Sequence, residues 1–251
     1  MNRLVKRCVL IVTCFTLLIG IFNYNLVFAD KIDTFNKLVP KNEKINFENL
    51  TIEDGLSSNF ITAIFQDSRG YIWIGTDDGL NQYNGNYIVE YNYGDGLAST
   101  YINAICEDSY GNIWVGTKGG LSIINSKTEE IKNIKYDNSK SSISHYNVTT
   151  IYKDSKNIMW VGTEKGLNKY DDESKTFIKY YDEYSGGVLT DSYITDIKEI
   201  KDEYIVIGSK CGVSIVDMQN DMILKSSFEP EQYDYIYNIT HFFVSNKAFF
   251  V

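Results

Sequence analysis

Residues 67–80 read DSRGYIWIGTDDGL. An acidic residue and a turn precede an aromatic–aliphatic run that ends in Gly-Thr, and a second Gly-Leu follows. That order could serve a glycine-rich phosphate loop, a metal loop or a structural hairpin, and recurrence separates the three. The stretch returns as DSYGNIWVGTKGGL (108–121) and DSKNIMWVGTEKGL (154–167), so Trp73, Trp114 and Trp160 stand 41 and 46 residues apart. A worn fourth copy, EYIVIGSKCGV (203–213), puts Gly208 46 residues after Gly162 and Val206 in the tryptophan position. A fixed period of this size marks a stacked-repeat architecture before any site chemistry is considered.

The first copy divides into four short strands: ITAIFQD (61–67), YIWIGT (71–76), LNQYN (80–84) and YIVEYNY (87–93). Turn chemistry separates them, with Asn84-Gly85 as a strong hairpin signal. The YIWIG strand is apolar on both faces, as a sheet covered on both sides requires. Blades stacked about an axis meet that demand. Helical repeats are excluded, because no sustained 3.6-residue apolar stripe appears and turn residues recur too often. The expectation is an all-β chain, a β-propeller of four-stranded antiparallel blades spanning residues 45–251. Its repeats fall at about 53–93, 94–139, 140–185 and 186–231, with a partial fifth at 232–251.

Each motif residue then has a structural role. Asp67, Asp108 and Asp154 open a turn and accept local backbone hydrogen bonds. Gly75, Gly116 and Gly162 leave room for close backbone approach, and Gly79, Gly120 and Gly166 supply positive φ at the hairpin. The three tryptophans bury large apolar area between blades. The fourth copy carries Ile200, Lys201, Asp202 and Glu203 where Asp-Ser-x-Gly would stand, so its turn is expected to differ. A phosphate loop is excluded because no Lys-Ser/Thr follows the glycines, and DDG lacks the spaced oxygens of a calcium loop.

With these residues laid out, the unit GLSSNFITAIFQDSRGYIWIGTDDGLNQYNG closely resembles the two-component regulator propeller repeat. GLASTYINAICEDSYGNIWVGTKGGLSIIN matches it as well, and SISHYNVTTIYKDSKNIMWVGTEKGLNKYD nearly so. The resemblance covers about residues 45–225. It implies an extracytoplasmic propeller of the kind found at the N-terminus of membrane sensors, mainly histidine kinases, hybrid kinases or diguanylate cyclases. It also implies a small extracellular ligand, with oligosaccharides as one class, and a downstream membrane signalling module that this chain does not contain. No ligand-binding residue can be carried over by motif, so none is assigned.

The first residues read as an export signal. Arg3, Lys6 and Arg7 precede the apolar run CVLIVTCFTLLIGIF (8–22), and Ala29 in VFAD offers a small residue before a cut. The run is shorter than the roughly 20 residues that span a bilayer, which favours a cleaved leader over an anchor. Residues 1–29 are therefore expected to be a signal peptide and 30–44 an N-terminal linker. Cleavage leaves 222 residues, enough for one substantial core, and takes Lys plus Arg from 24 to 21 against 33 acidic residues, a balance of −12. Such a chain repels nucleic acid and anionic membrane surfaces, so no nucleic-acid partner is expected. Cys106 and Cys211 lie in different repeats and make no disulfide framework. Cys106 aligns with Phe65 and is expected as a small buried apolar residue.

Candidate chemistry is sparse. His145 and His241 are the two histidines, and neither has a metal-ligand cluster beside it. His145 aligns with Ser58, Ser99 and Asp191 at an inter-blade linker, where a solvated or hydrogen-bonded histidine is the simple reading. The acidic run YDDESK (170–175) belongs to an exposed hairpin tip, and the many tyrosines suit fourth strands. No catalytic residue, metal or cofactor is expected, and the function read from the chain is ligand sensing. The alternatives are a secreted propeller enzyme (a lyase or glycan-active protein) and a surface scaffold that binds another protein.

The ends of the chain carry a last expectation. YNITHFFVSNKAFFV (237–251) aligns with YITDIKEIKDEYIV, which places Val251 inside the second strand of a fifth repeat. INFENLTIEDGL (45–56) aligns with NYIVEYNYGDGL (86–97), as a fourth strand with no preceding three. These pieces do not complete a ring, so an open arc of four blades with exposed edges is expected.

Overall fold

A computed structural model describes residues 49–137, 139–182, 188–220, 222–225, 243–245 and 248–250. The leader, the linker, His241 and nearly all of the lone strand expected before residue 51 lie outside them. Four antiparallel sheets follow one another along the chain. The first holds β1 (Ile61–Gln66), β2 (Ile72–Thr76), β3 (Leu80–Tyr83) and β4 (Ile88–Tyr91). The second holds β5 (Ile102–Glu107), β6 (Ile113–Thr117), β7 (Gly120–Ile124) and β8 (Ile131–Ile134). The third holds β9 (Val148–Lys153), β10 (Met159–Thr163), β11 (Gly166–Asp171) and β12 (Thr176–Tyr180). The fourth holds β13 (Ile194–Ile200), β14 (Tyr204–Ser209), β15 (Gly212–Asp217) and β16 (Met222–Lys225). Each sheet is a meander in which every strand pairs with its sequence neighbour. A pair of short strands, β17 (Phe243–Ser245) and β18 (Ala248–Phe250), falls in the partial fifth repeat.

The blades pack by their first and second strands. The first strands lie against one another in the order β1, β5, β9, β13. Trp73 sits among Ile102, Ile105, Ile113 and Val115 of the second blade. Trp114 packs with Val148, Ile151, Met159 and Val161 of the third, and Trp160 with Ile194, Ile197, Ile205 and Ile207 of the fourth. The tryptophans are thus the blade-packing residues expected.

The mid-strand glycines differ in detail from expectation: what approaches them is a side chain of the next blade rather than backbone. A Cβ on Gly75 would stand 2.6 Å from Ile102 Cγ2, one on Gly116 2.6 Å from Val148 Cγ1, and one on Gly162 2.7 Å from Ile194 Cγ2. A β-branched knob enters a glycine hole at each junction. The register slips by one residue at the start of every first strand, skipping Thr62, Asn103, Thr149 and Thr195. Such bulges sharpen the twist that winds blades round an axis.

Blade 1 lacks a neighbour on its leading face among the described residues. Ile64 is 69% exposed, whereas its counterparts Ile105, Ile151 and Ile197 are 9%, 9% and 1% exposed. Ile61, matching fully buried Ile102, is also exposed.

Local turns follow the sequence closely. Ile52–Asp54 and Tyr93–Asp95 form matching 3-10 turns, capped by Thr51 and Asn92 and ended by Gly55 and Gly96 at φ 105° and 108°. The fourth blade has the different turn expected. Lys201 and Asp202 take φ 56° and 55° in a tight turn, closed by the Glu203 N–H donating to the Ile200 carbonyl, within the three-residue connection from Ile200 to Tyr204.

Candidate functional site

The Asp-Ser-x-Gly segments all lie at the hairpin between the first and second strands of a blade. Asp67 Oδ1 accepts the backbone N–H groups of Arg69 and Tyr71, as expected of a turn-opening aspartate. Its other oxygen accepts the indole N–H of Trp73 at 3.0 Å, a bond the sequence reading missed. The same bond joins Trp114 to Asp108 at 3.0 Å and Trp160 to Asp154 at 2.8 Å. An indole N–H buried between blades needs an acceptor, and the aspartate supplies it without a second buried charge. Burial pushes the Asp67 carboxyl upward, but bonds from Trp73, Arg69 and Tyr71 outweigh it and hold the group below its ordinary value. Recurrence of the motif along the chain is thereby explained by structure.

Two further motif positions cross between blades. Ser68 donates its N–H and hydroxyl to Glu107 at 2.8 and 2.6 Å, tying blade 1 to blade 2. Ser155 does the same to Glu199 at 2.8 and 2.5 Å, tying blade 3 to blade 4. At the middle junction the acceptor position holds Lys153, and Ser109 makes no such bond. The third motif residue also reaches across. Arg69 Nη1 donates to the carbonyl of Ser126 at 3.4 Å, and Lys156 Nζ to that of Met218 at 3.0 Å. In blade 2 the position is Tyr110, whose hydroxyl donates to Asp172 Oδ2 at 2.7 Å on the tip of the β11–β12 hairpin.

The middle junction consequently opens at its rim. A cleft of about 460 Å³ lies between blades 2 and 3, walled by Tyr110, Trp114, Tyr170 and Ile178, with Asn157 and Ser109 at its edge. The corresponding cleft between blades 1 and 2 holds about 10 Å³, since Arg69 occupies it. The charges around the larger cleft are mostly committed. Asp108 accepts from Tyr110 N, Asn112 N, Asn112 Nδ2 and Trp114 Nε1. Asp172 bonds Tyr110 and Lys175, which hold its carboxyl low, and it raises the Tyr110 phenol in turn. Asp171 accepts from Ser174 and Glu173, which hold it low as well. The acidic run at 170–175 is therefore a hairpin tip, as expected, and its members Tyr170, Asp171 and Asp172 border this cleft.

His145 lies elsewhere, on the linker before β9. It is hydrogen-bonded rather than solvated, with 6% exposure. Nδ1 accepts the Asn147 N–H at 3.3 Å and stands 3.8 Å from Glu164 Oε2, while the ring meets Tyr146 at 4.0 Å between centroids. Burial pulls its pKa down, against the opposing pull of Glu164. Cys106 is half-buried rather than fully buried, packed at the second junction beside Trp114, and Cys211 is exposed. Among the described residues no group of three His, Cys, Asp or Glu side chains could hold a metal ion, and no helix is long and apolar enough to cross a membrane.

The sheets, the in-phase motif and its recurring bonds agree with a family model, described as the two component regulator propeller, that matches residues 55–78, 96–119 and 142–165. The chain carries two component regulator propeller repeats. A stretch of 49 residues is 41% identical to histidine kinase P4 of Formosa agariphila, covering 20% of this chain and 4% of that protein. The extracellular domain of a hybrid two component system from B. thetaiotaomicron superposes with a TM-score of 0.64 at 24% identity, over 72% of this chain and 26% of that one. A catalytically inactive virginiamycin B lyase from Staphylococcus aureus superposes at 0.56 with 14% identity, over 76% of this chain and 62% of that one. The structural likenesses place the regulator propeller repeats of this chain in the β-propeller fold. The chain spans a small part of the curated kinase and about a quarter of the two component system domain.

Proposed function

We propose that the chain is the extracytoplasmic, ligand-sensing propeller of a two-component-type receptor, and that it catalyses no reaction itself. The observation that carries this reading is the set of three in-phase regulator propeller repeats, behind a basic-apolar leader ending at Ala29. The leader, residues 1–29, directs export, and residues 30–44 link it to the propeller. A small extracellular ligand, with oligosaccharides the first class to try, binds the propeller and shifts its packing. That shift is passed to a membrane-bound kinase or cyclase module, and it requires different affinities for two states.

The enzyme reading draws on one observation, the buried His145 beside Glu164, since histidine is the commonest general base and a neighbouring carboxylate can orient it. A single experiment addresses both. The purified full chain is melted in the presence of oligosaccharides, peptides and small metabolites, and each mixture is analysed by mass spectrometry. A ligand that raises Tm and is recovered unchanged supports sensing. Turnover of any compound, lost in His145→Ala, overturns it in favour of catalysis, and the absence of any stabilising ligand overturns it outright.

A further inference from the structure

Four blades share one plan, so a junction that departs from it at several points invites a functional explanation. The middle junction departs three times. Lys153 replaces the glutamate that clamps the other two, Tyr110 replaces the Arg or Lys that fills or spans them, and Asn157 replaces the turn glycines Gly70 and Gly111. Asn157 holds φ 65°, a left-handed conformation in which glycine carries no Cβ penalty. Tyr110 and Asn157 line the cleft themselves, and Lys153 leaves the cleft residue Ser109 without the clamp its counterparts have. Together they leave about 460 Å³, within the size range of small-molecule sites, where the first junction has about 10 Å³.

From these departures we infer that the rim cleft between blades 2 and 3 is the ligand site, and that it takes a neutral, hydroxyl-rich ring molecule of mono- to disaccharide size. The inference rests on the sensing role proposed above. Neutrality follows from the charges already spent. Asp108, Asp171 and Asp172 are bonded to donors of the protein itself, Lys156 is bonded to the Met218 carbonyl, and Lys169 lies 5.5 Å from the Trp160 ring centroid. A charged ligand would have to displace these partners. The cleft's polar side chains left without a hydrogen bond among the described residues are uncharged, the Ser109 and Tyr170 hydroxyls and the Asn157 amide. All three donate and accept, which suits hydroxyl groups. The apolar wall is Tyr110, 65% exposed, with Ile178, 45% exposed. The electron-rich face of a tyrosine attracts the C–H face of a saturated ring.

Occupancy would act on blade packing through one bond. The Tyr110 hydroxyl to Asp172 is the cross-blade tie at this rim, and a ring stacked on Tyr110 bears directly on it.

The test titrates the full chain with maltose, cellobiose and lactose, using saturation-transfer NMR and calorimetry. At least one disaccharide should bind, with its C–H protons receiving saturation from aromatic rings. Tyr110→Ala and Asn157→Gly should each weaken that binding at least tenfold. The second variant installs the residue of the equivalent turns, so loss of folding does not confound it. Tyr93→Ala, an exposed tyrosine remote from the cleft, should leave the affinity unchanged. Equal affinity in wild type, Tyr110→Ala and Asn157→Gly would overturn the site while leaving the sensing role intact. No binding by any of the three sugars would overturn the ligand class. The sensing role would then stand or fall on the broader melting screen.

Discussion

Trp160 Nε1 lies 2.8 Å from Asp154 Oδ2, six residues back along the chain and across a turn. The carboxylate also accepts the N–H groups of Lys156 and Ile158. One side chain therefore closes a hairpin and satisfies the largest buried polar group of the junction. Asp154→Ala leaves three donors without acceptors. It should cost roughly 3 kcal/mol, on the scale of about 1–3 kcal/mol per buried unsatisfied group, and Asp154→Asn should cost less. Urea denaturation of both variants measures the difference, and equal midpoints for Ala and wild type would refute the account.

Gly116 faces the Val148 side chain with no space for a methyl group. Gly116→Ala should therefore destabilise by about 1–3 kcal/mol through overpacking. A compensating Val148→Ala should recover much of that loss, since it removes the knob from the same hole. Non-additivity in the double-mutant cycle is the expected readout.

Lys153 stands where Glu107 and Glu199 receive a serine from the preceding blade. Lys153→Glu should give Ser109 the acceptor that Ser68 and Ser155 already have, and stabilise by about 1 kcal/mol after allowance for partial exposure. Crystallography of the variant checks the bond directly. A lowered melting temperature would show that the lysine has a partner of its own.

His145 titrates below its ordinary value of 6.5 because burial disfavours the imidazolium. Between that value and the lower folded one, the unfolded chain binds more protons, so stability falls as pH drops from 7 through the region below 6.5. His145→Gln should flatten this limb of the stability profile. Denaturation midpoints at pH 7, 6 and 5 for both proteins give the comparison, with acid sensitivity persisting unchanged in the variant as the adverse result.

The fold was legible because its determinants are local and repeated. Asp67 to Gly70 and Thr76 to Gly79 specify turns through adjacent residues, so the blade boundaries and even the odd turn at Lys201-Asp202 could be read in advance. The Asp67–Trp73 bond escaped because it depends on hairpin register, which fixes the strand face to which residue 73 is sent. The glycine holes were half-read: close approach was evident, but a neighbour from the next blade is a tertiary fact. The cleft was missed for a different reason. Its signal is a set of departures, Tyr110, Lys153 and Asn157, and alignment of the repeats directs attention to what they share. Comparing the copies position by position at each junction would have exposed it.

Serine–glutamate clamps hold blade 1 to blade 2 and blade 3 to blade 4, and none joins the two pairs. In a linear stack, stability is a sum of unit and neighbour terms, so the weakest seam decides where cooperativity breaks. The middle seam is tied instead by Asn103, whose Nδ2 donates to Asn147 Oδ1 at 2.9 Å and to the Val148 carbonyl at 2.7 Å. Each seam thus carries its own polar stitch across a shared apolar interface.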